Sequence, residues 1–174
     1  MAEPTNEQLR EILEDMVTAR VQSTRLWNLQ RQGRIGTFPP LDGHEAAIAG
    51  AAHALDPEHD WIIPQYREPP ALQYYGPEIL YRFVLYHLGH PAGGHIPAPV
   101  KVLPPQVSLG SQIPHAVGIA WGMKLRNDPG VALVFFGDGS TSEGDFYEGG
   151  NLAGVLQVPV ILLCVNNQWA ISTP

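Results

Sequence analysis

Two apolar runs in the second half of the chain constrain its fold more than anything else in the sequence. "VALVFF", Val131 to Phe136, leads straight into Gly-Asp-Gly, and "VPVILLCV", Val158 to Val165, leads straight into Asn-Asn. Neither run alternates apolar with polar residues. A strand that is apolar at every position belongs to a parallel sheet covered on both faces. The segment between the runs has helical character. The spacing therefore predicts strand 131–136, helix 143–155 and strand 159–165, with Pro159 at a strand start where proline is tolerated. Strand, crossover helix and strand make a βαβ unit, and the fold class expected is α/β: a doubly wound, mostly parallel sheet with helices on both faces.

In such sheets ligands bind beyond the carboxyl ends of the strands. "GDGS" lies at one of those ends and "NNQWAIS" at the next, so the two motifs should share one edge. Gly137 and Gly139 allow close approach of a ligand to bare backbone N–H groups. The helix that follows favours an anion at its N-terminus. Asp138 supplies one hard oxygen and an asparagine side chain a neutral one. Mg²⁺ takes one or two protein carboxylates and completes its shell with phosphate oxygens and water. The pair of motifs, with 26 residues between Gly139 and Asn166, thus reads as a clamp for a Mg-diphosphate. A nicotinamide-binding βαβ module would need Gly-x-Gly-x-x-Gly after a strand, and neither strand carries it.

The first half reads as helices and loops. Thr5 to Gln8 forms a capping-box pattern, and Leu9, Ile12, Leu13, Met16, Val17 and Leu26 keep helical spacing as far as Gly33. Residues 1–33 are expected to form an N-terminal helix packed on one domain that spans 1–174. Residues 44–55 read as a small-residue helix, and "WIIPQYREPP" as a short strand running into a loop. "GPEILYRFVLYHLG" has proline at a helix start and glycine at its end. Residues 89–106 are rich in proline and glycine and read as a long functional or partner-binding loop. A small-residue helix is expected from Ser108 to about Leu125.

Composition excludes several classes. Seventeen acidic residues stand against ten basic ones, for a formal charge of −7, and no Lys/Arg run occurs. That argues against a nucleic-acid surface. No apolar run approaches the ~18 residues of a membrane span, and the acidic N-terminus lacks a signal-peptide core. Cys164, the single cysteine, has no partner for a disulfide and reads as a small buried hydrophobe.

"GRIGTFPPLDGHEA", "WIIPQYRE", "GSQIPHAVGIAWGMK", "GDGSTSEGDFYEGGN" and "NNQWAISTP" together resemble the alpha subunit of the decarboxylating component of 2-oxo acid dehydrogenase complexes. Within that family the bacterial pyruvate dehydrogenase type is nearest, and branched-chain 2-oxo acid and acetoin types are close rivals. The resemblance implies the thiamin-diphosphate-binding fold. It implies oxidative decarboxylation of a 2-oxo acid with thiamin diphosphate and Mg²⁺, and acyl transfer to a lipoyl group. Asp138, Asn167 and the Trp169 carbonyl would be the Mg²⁺ ligands. Gly137, Gly139, Ser140, Tyr66 and Arg67 would meet the diphosphate, and Ser108 and Leu109 (with Gly110) the aminopyrimidine ring. Implied partners are a beta subunit in an alpha2beta2 assembly and a lipoyl-bearing acyltransferase, in the bacterial cytoplasm.

Members of that family are roughly twice as long, so the chain reads as an incomplete subunit holding the diphosphate half-site, inactive alone; a truncated, non-catalytic product is the reading from a different class. Pro69 stands where many members carry histidine. Gly149-Gly150 weakens a helix by about 1 kcal/mol per glycine, so that helix must depend on packing. His90 is the one catalytic candidate, against the plainer reading of a solvated loop histidine that it shares with His95. His115 reads as a packing or interface residue and His44 as a polar helix-start residue with a satisfied contact.

Overall fold

The computed structural model describes residues 3–173; Met1 and Ala2, the first residues of the expected 1–33 element, and Pro174, the last of "NNQWAISTP", lie outside them. Chain contacts separate two compact units, 1–55 with 67–96 and 56–66 with 97–174.

The first unit is helical. Its elements are α1 (Asn6–Arg31), α2 (Glu45–Ala52), α3 (Pro69–Tyr75) and α4 (Pro77–His87), followed by a 3-10 turn, Pro91–Gly94. The capping box of α1 forms: Thr5 Oγ1 accepts from Gln8 N–H at 3.2 Å, and Gln8 Oε1 accepts from Thr5 N–H at 2.8 Å. The face α1 buries is Ala19, Ser23 and Leu26. Leu9, Leu13 and Val17, which the spacing placed in the packed stripe, are exposed. Ser23 Oγ donates to Asp42 at 3.0 Å and accepts from Leu41 N–H at 3.3 Å, while Arg20 pairs with Glu45. Burial disfavours the Glu45 charge, but the hydrogen bonds of Arg20 and backbone N–H groups outweigh it and hold that carboxyl below its ordinary range. The helix α3 replaces the expected loop: Pro69 and Pro70 occupy its first turn, where the missing N–H groups cost nothing.

His87, at the end of α4, is buried against Phe38 and Phe83. Its Nδ1–H donates to the Thr37 carbonyl at 3.1 Å, and its Nε2 has no partner among the described residues.

The second unit holds the sheet: β1 (Trp61–Ile63), α5 (Gln112–Leu125), β2 (Ala132–Gly137), a 3-10 turn over Asp138–Ser142, α6 (Gly144–Leu156) and β3 (Val160–Val165). The expected βαβ unit forms within a residue or so of its expected bounds. The strand order is β1-β2-β3, all parallel, with Ile63 opposite Val134 and Gly137 opposite Val165. Within the long 89–106 segment, Lys101 to Leu103 runs beside the outer edge of β1, where Ile62 N–H donates to Lys101 O and Leu103 N–H to Ile62 O. The helix after it begins at Gln112 rather than Ser108.

The core of this unit is Ile63, Ile113, Ala116, Ala120, Ala132, Val134 and Phe136. Alanines on α5 let it lie close to the sheet. Gly149 does the same for the α5–α6 contact: a Cβ there would sit 2.8 Å from Ile113 Cγ2 and 3.4 Å from Pro114 N. The glycine that weakens the helix is what lets it pack. The uniform burial expected of β3 is not found: among the described residues β3 lies at an edge of the sheet, and Ile161 and Cys164 are exposed. Among the described residues, no helix is long and apolar enough to cross a membrane.

Two outcomes follow from this packing. Gly149→Ala should lower stability by on the order of 1 kcal/mol, because overpacking outweighs the gain in helix preference. Gly154→Ala, where the described residues leave open space around the added methyl, should raise it by about 0.5–1 kcal/mol. Denaturant melts of both variants decide this, and a stabilising Gly149→Ala would mean that α5 and α6 have slack between them.

A further outcome concerns pH. Burial holds the His87 imidazole below its ordinary 6.5, against the opposing pull of the Thr37 hydrogen bond. The unfolded chain then takes up the proton first, so this contribution to stability is whole above pH 6.5 and is lost as pH falls below it. The urea midpoint should drop between about pH 7 and pH 5, less steeply in His87→Phe. Equal slopes in the two proteins would show that His87 is not the group responsible.

Candidate functional site

The site is built at the carboxyl edge of β2 and β3. Parallel pairing that ends at Gly137 opposite Val165 brings the two following segments out side by side. Asp138 opens the 3-10 turn, half-buried, and its carbonyl accepts from Thr141 Oγ1 at 2.7 Å. Gly139 lies against the segment after β3: a Cβ on it would meet the Ala170 methyl at 3.3 Å. Ser140 is 1% exposed, and its Oγ has no partner among the described residues.

At the end of β3 the two asparagines each close a turn. Asn166 Oδ1 accepts from Gln168 N–H at 2.7 Å, and Asn167 Oδ1 from Trp169 N–H at 2.9 Å. An amide oxygen has two lone pairs, so Asn167 keeps capacity for one further partner. Both asparagines and Trp169 are exposed.

Ser108, Leu109 and Gly110 form the turn before α5. Gly110 has φ +82°, and a Cβ on it would meet Glu143 Cβ at 3.1 Å. This turn therefore lies against the start of α6, on the same side as the Asp138 turn that precedes that helix. Ser111 Oγ donates to Ser108 O at 2.8 Å and holds it closed.

Two buried glutamines that sequence reasoning passed over complete the edge. Gln65 Oε1 accepts from Gly137 N–H at 3.2 Å, and Gln112 Nε2 donates to Phe135 O at 3.0 Å. They are 3% and 0% exposed, and Gln65 Nε2 and Gln112 Oε1 have no partner among the described residues. The available signal was an amide beside apolar residues, in "WIIPQ" and again in "QIP". Tyr66 follows Gln65 directly.

The remaining candidates, His115 apart, fall in the helical unit. Arg67 Nε donates to the Pro40 carbonyl at 2.9 Å, and its backbone N–H to Glu68 Oε2 at 2.7 Å. His44 precedes α2, and its backbone N–H donates to Leu41 O at 2.9 Å, but its side-chain Nδ1 is buried with no partner among the described residues. Burial, and then the charge of Arg67, hold its imidazole below the ordinary value. His90 is exposed and caps the 3-10 turn, its Nδ1 accepting from Ala92 N–H at 3.2 Å. His95 is exposed, and its carbonyl accepts from Arg82. His115, on α5, hydrogen-bonds through Nδ1 to Ser111 O at 2.7 Å.

Among the described residues there is no group of three His, Cys, Asp or Glu placed to share a metal ion. The strand ends offer a divalent ion Asp138, asparagine side-chain oxygens and backbone carbonyls. Such an all-oxygen, low-charge set suits Mg²⁺ sharing its shell with phosphate. The buried Ser140 hydroxyl and Gln65 amide nitrogen, each lacking an acceptor, fit a diphosphate beside them.

Cys164, opposite Phe136 in the ladder, is exposed rather than buried. Partial desolvation and then the nearby charge of Asp138 push its thiol up from the ordinary 9.0, so it is a poor nucleophile near neutral pH. Asp138→Asn removes that charge and should speed alkylation of Cys164 by iodoacetamide at pH 8. An unchanged rate would mean that the carboxylate does not reach the thiol.

The dehydrogenase E1 component family model matches residues 14–174. The chain is 44% identical over its full length to the pyruvate dehydrogenase E1 component subunit alpha of Bacillus cereus, covering 46% of that protein. It is 41% identical over its full length to the corresponding Bacillus subtilis (strain 168) subunit, again 46% of it. It is also 41% identical to the Staphylococcus aureus (strain Mu50 / ATCC 700699) subunit, over 98% of this chain and 45% of that protein. The chain thus spans just under half the length of these curated relatives. It belongs to the dehydrogenase E1 component family.

Proposed function

We propose that this chain is the diphosphate-holding part of the alpha subunit of a bacterial pyruvate dehydrogenase E1 component, which decarboxylates pyruvate and passes the acetyl group to a lipoyl carrier. The observation that carries this is the meeting of Gly137-Asp138-Gly139 and Asn166-Asn167 at the end of two paired parallel strands. The names of the relatives, all pyruvate dehydrogenase E1 alpha subunits, favour pyruvate over branched-chain 2-oxo acids or acetoin. On this reading residues 1–174 belong to one thiamin-diphosphate-binding domain of a cytoplasmic enzyme. A beta subunit completes the site in an alpha2beta2 assembly, and a lipoyl-bearing acyltransferase receives the product. This stretch of chain alone is expected to bind without turnover.

Thiamin diphosphate, when bound, supplies the electron sink that lets a 2-oxo acid lose CO2. The protein's task is to hold and orient. Asp138, Asn167 Oδ1 and the Trp169 carbonyl would hold Mg²⁺. The N–H groups of Gly139 and Ser140, with the Ser140 hydroxyl, would donate to diphosphate oxygens. Arg67 and Tyr66 would contact the same group, the guanidinium because its fork matches phosphate oxygens. Backbone groups of Ser108 and Leu109 would meet the aminopyrimidine ring. His90 is the side chain put forward for proton transfer, through the Nε2 that its capping bond leaves over.

Calorimetric titration with thiamin diphosphate, with and without Mg²⁺, tests the reading. Binding should be saturable, should require Mg²⁺, and should vanish in Asp138→Ala while the circular dichroism stays unchanged. Arg67→Ala should weaken it by about 1.5–3 kcal/mol, the range for a hydrogen bond to a charged group. An Asp138→Ala variant that binds as well as the parent would falsify the metal assignment, and an unchanged Arg67→Ala would remove that residue from the site.

A further inference from the structure

Adjacent strands of different length leave backbone groups without a ladder partner. β1 ends at Ile63, opposite Val134, and Pro64 follows with no N–H to extend the pairing. β2 runs on for three more residues. Trp61 N–H donates to Val131 O, whereas Ala132 N–H donates to Pro159 O. By the two-residue alternation of a strand, odd-numbered groups of β2 face β1 and even-numbered N–H groups face β3. Phe135 O and Gly137 N–H are therefore the groups that a longer β1 would have paired.

Gln65 and Gln112 take those two groups. The acceptor Gln65 Oε1 meets Gly137 N–H at 3.2 Å, and the donor Gln112 Nε2 meets Phe135 O at 3.0 Å. The backbone partners decide which end of each amide faces the strand, since an N–H needs an acceptor and a carbonyl a donor. Both side chains are more than nine-tenths buried. Two side-chain amides thus stand in for the missing rung, immediately before the residues that would receive the metal and the diphosphate.

We propose that Gln65 and Gln112 are positioning residues that set the Gly137–Asp138–Gly139 turn for an anionic, metal-bound ligand. The proposal rests on the diphosphate reading given above. If Gln65 instead continued the strand through its own backbone, its side chain would be released from Gly137. The amide contact trades one regular rung for a fixed side chain at the mouth of the site. Its Nε2 remains a buried donor without an acceptor among the described residues, as suits a place beside phosphate oxygens.

The test uses Gln65→Met, which keeps the volume and loses the acceptor, and Gln65→Glu, which keeps an acceptor. Amide exchange of the ligand-free chain, followed by NMR, reads the clamp directly. In Gln65→Met the Gly137 amide should exchange about tenfold faster, while Ala132 and Phe136, which face β3, are unchanged. In Gln65→Glu the Gly137 amide should stay slow. Mg²⁺-dependent affinity for thiamin diphosphate should also fall about tenfold in Gln65→Met. Unchanged Gly137 exchange in Gln65→Met, or its loss in Gln65→Glu, overturns the clamp. Faster exchange with undiminished coenzyme affinity overturns its role in positioning. Coenzyme binding indifferent to Asp138→Ala would instead sink the diphosphate reading, with the exchange result still standing for the clamp.

Discussion

Everything proposed for this chain depends on the parallel pairing of β2 with β3. Parallel strands place the segments that follow them at the same edge, which an antiparallel pair would put at opposite ends. Asp138 and Asn167 lie 29 positions apart in sequence yet follow paired strand ends. The pairing needs a crossover helix, and α6 supplies it with its N-terminus at that edge. The absence of a side chain at Gly149 lets that helix pack closely on Ile113 of α5.

The electrostatics at the edge are sparse. Asp138 is the carboxylate of the Gly-Asp-Gly turn, and after partial desolvation its charge is the second cause that raises the Cys164 thiol on the neighbouring strand. The buried polar side chains there, Gln65, Gln112 and Ser140, are neutral, and the two asparagines are neutral as well, while Glu143 and Asp145 lie by the Gly110 turn at the start of α6. Buried neutral amides and hydroxyls cost less to desolvate than charges. They suit a site whose ligand brings its own charge.

Much of this was legible in the chain. Continuous apolar runs on either side of a helical segment signalled a parallel βαβ unit, which forms, and β2 is buried as such a run requires. The capping box of α1 was equally readable, since it depends on four adjacent residues. Other features were not. Pro69-Pro70 looked like a loop because proline serves equally in a loop and in a first helical turn. The stripe Leu9, Leu13, Val17 looked buried, but periodicity gives a face and not what covers it. Cys164 looked buried because an apolar strand does not say whether it is central or at an edge.

What the sequence determined by itself is local: strand and helix types, caps, and the residue chemistry available at the strand ends. Those follow from neighbours within a few positions, where steric preference and hydrogen-bonding capacity act directly. The tertiary structure decided which groups meet. The length of β1 relative to β2 left Phe135 O and Gly137 N–H without a strand beside them, and the fold brought Gln65, 72 residues before Gly137, to one of them and Gln112 to the other. No local rule pairs residues so far apart. Only the geometry of the packed sheet shows that the backbone there had a bond to satisfy.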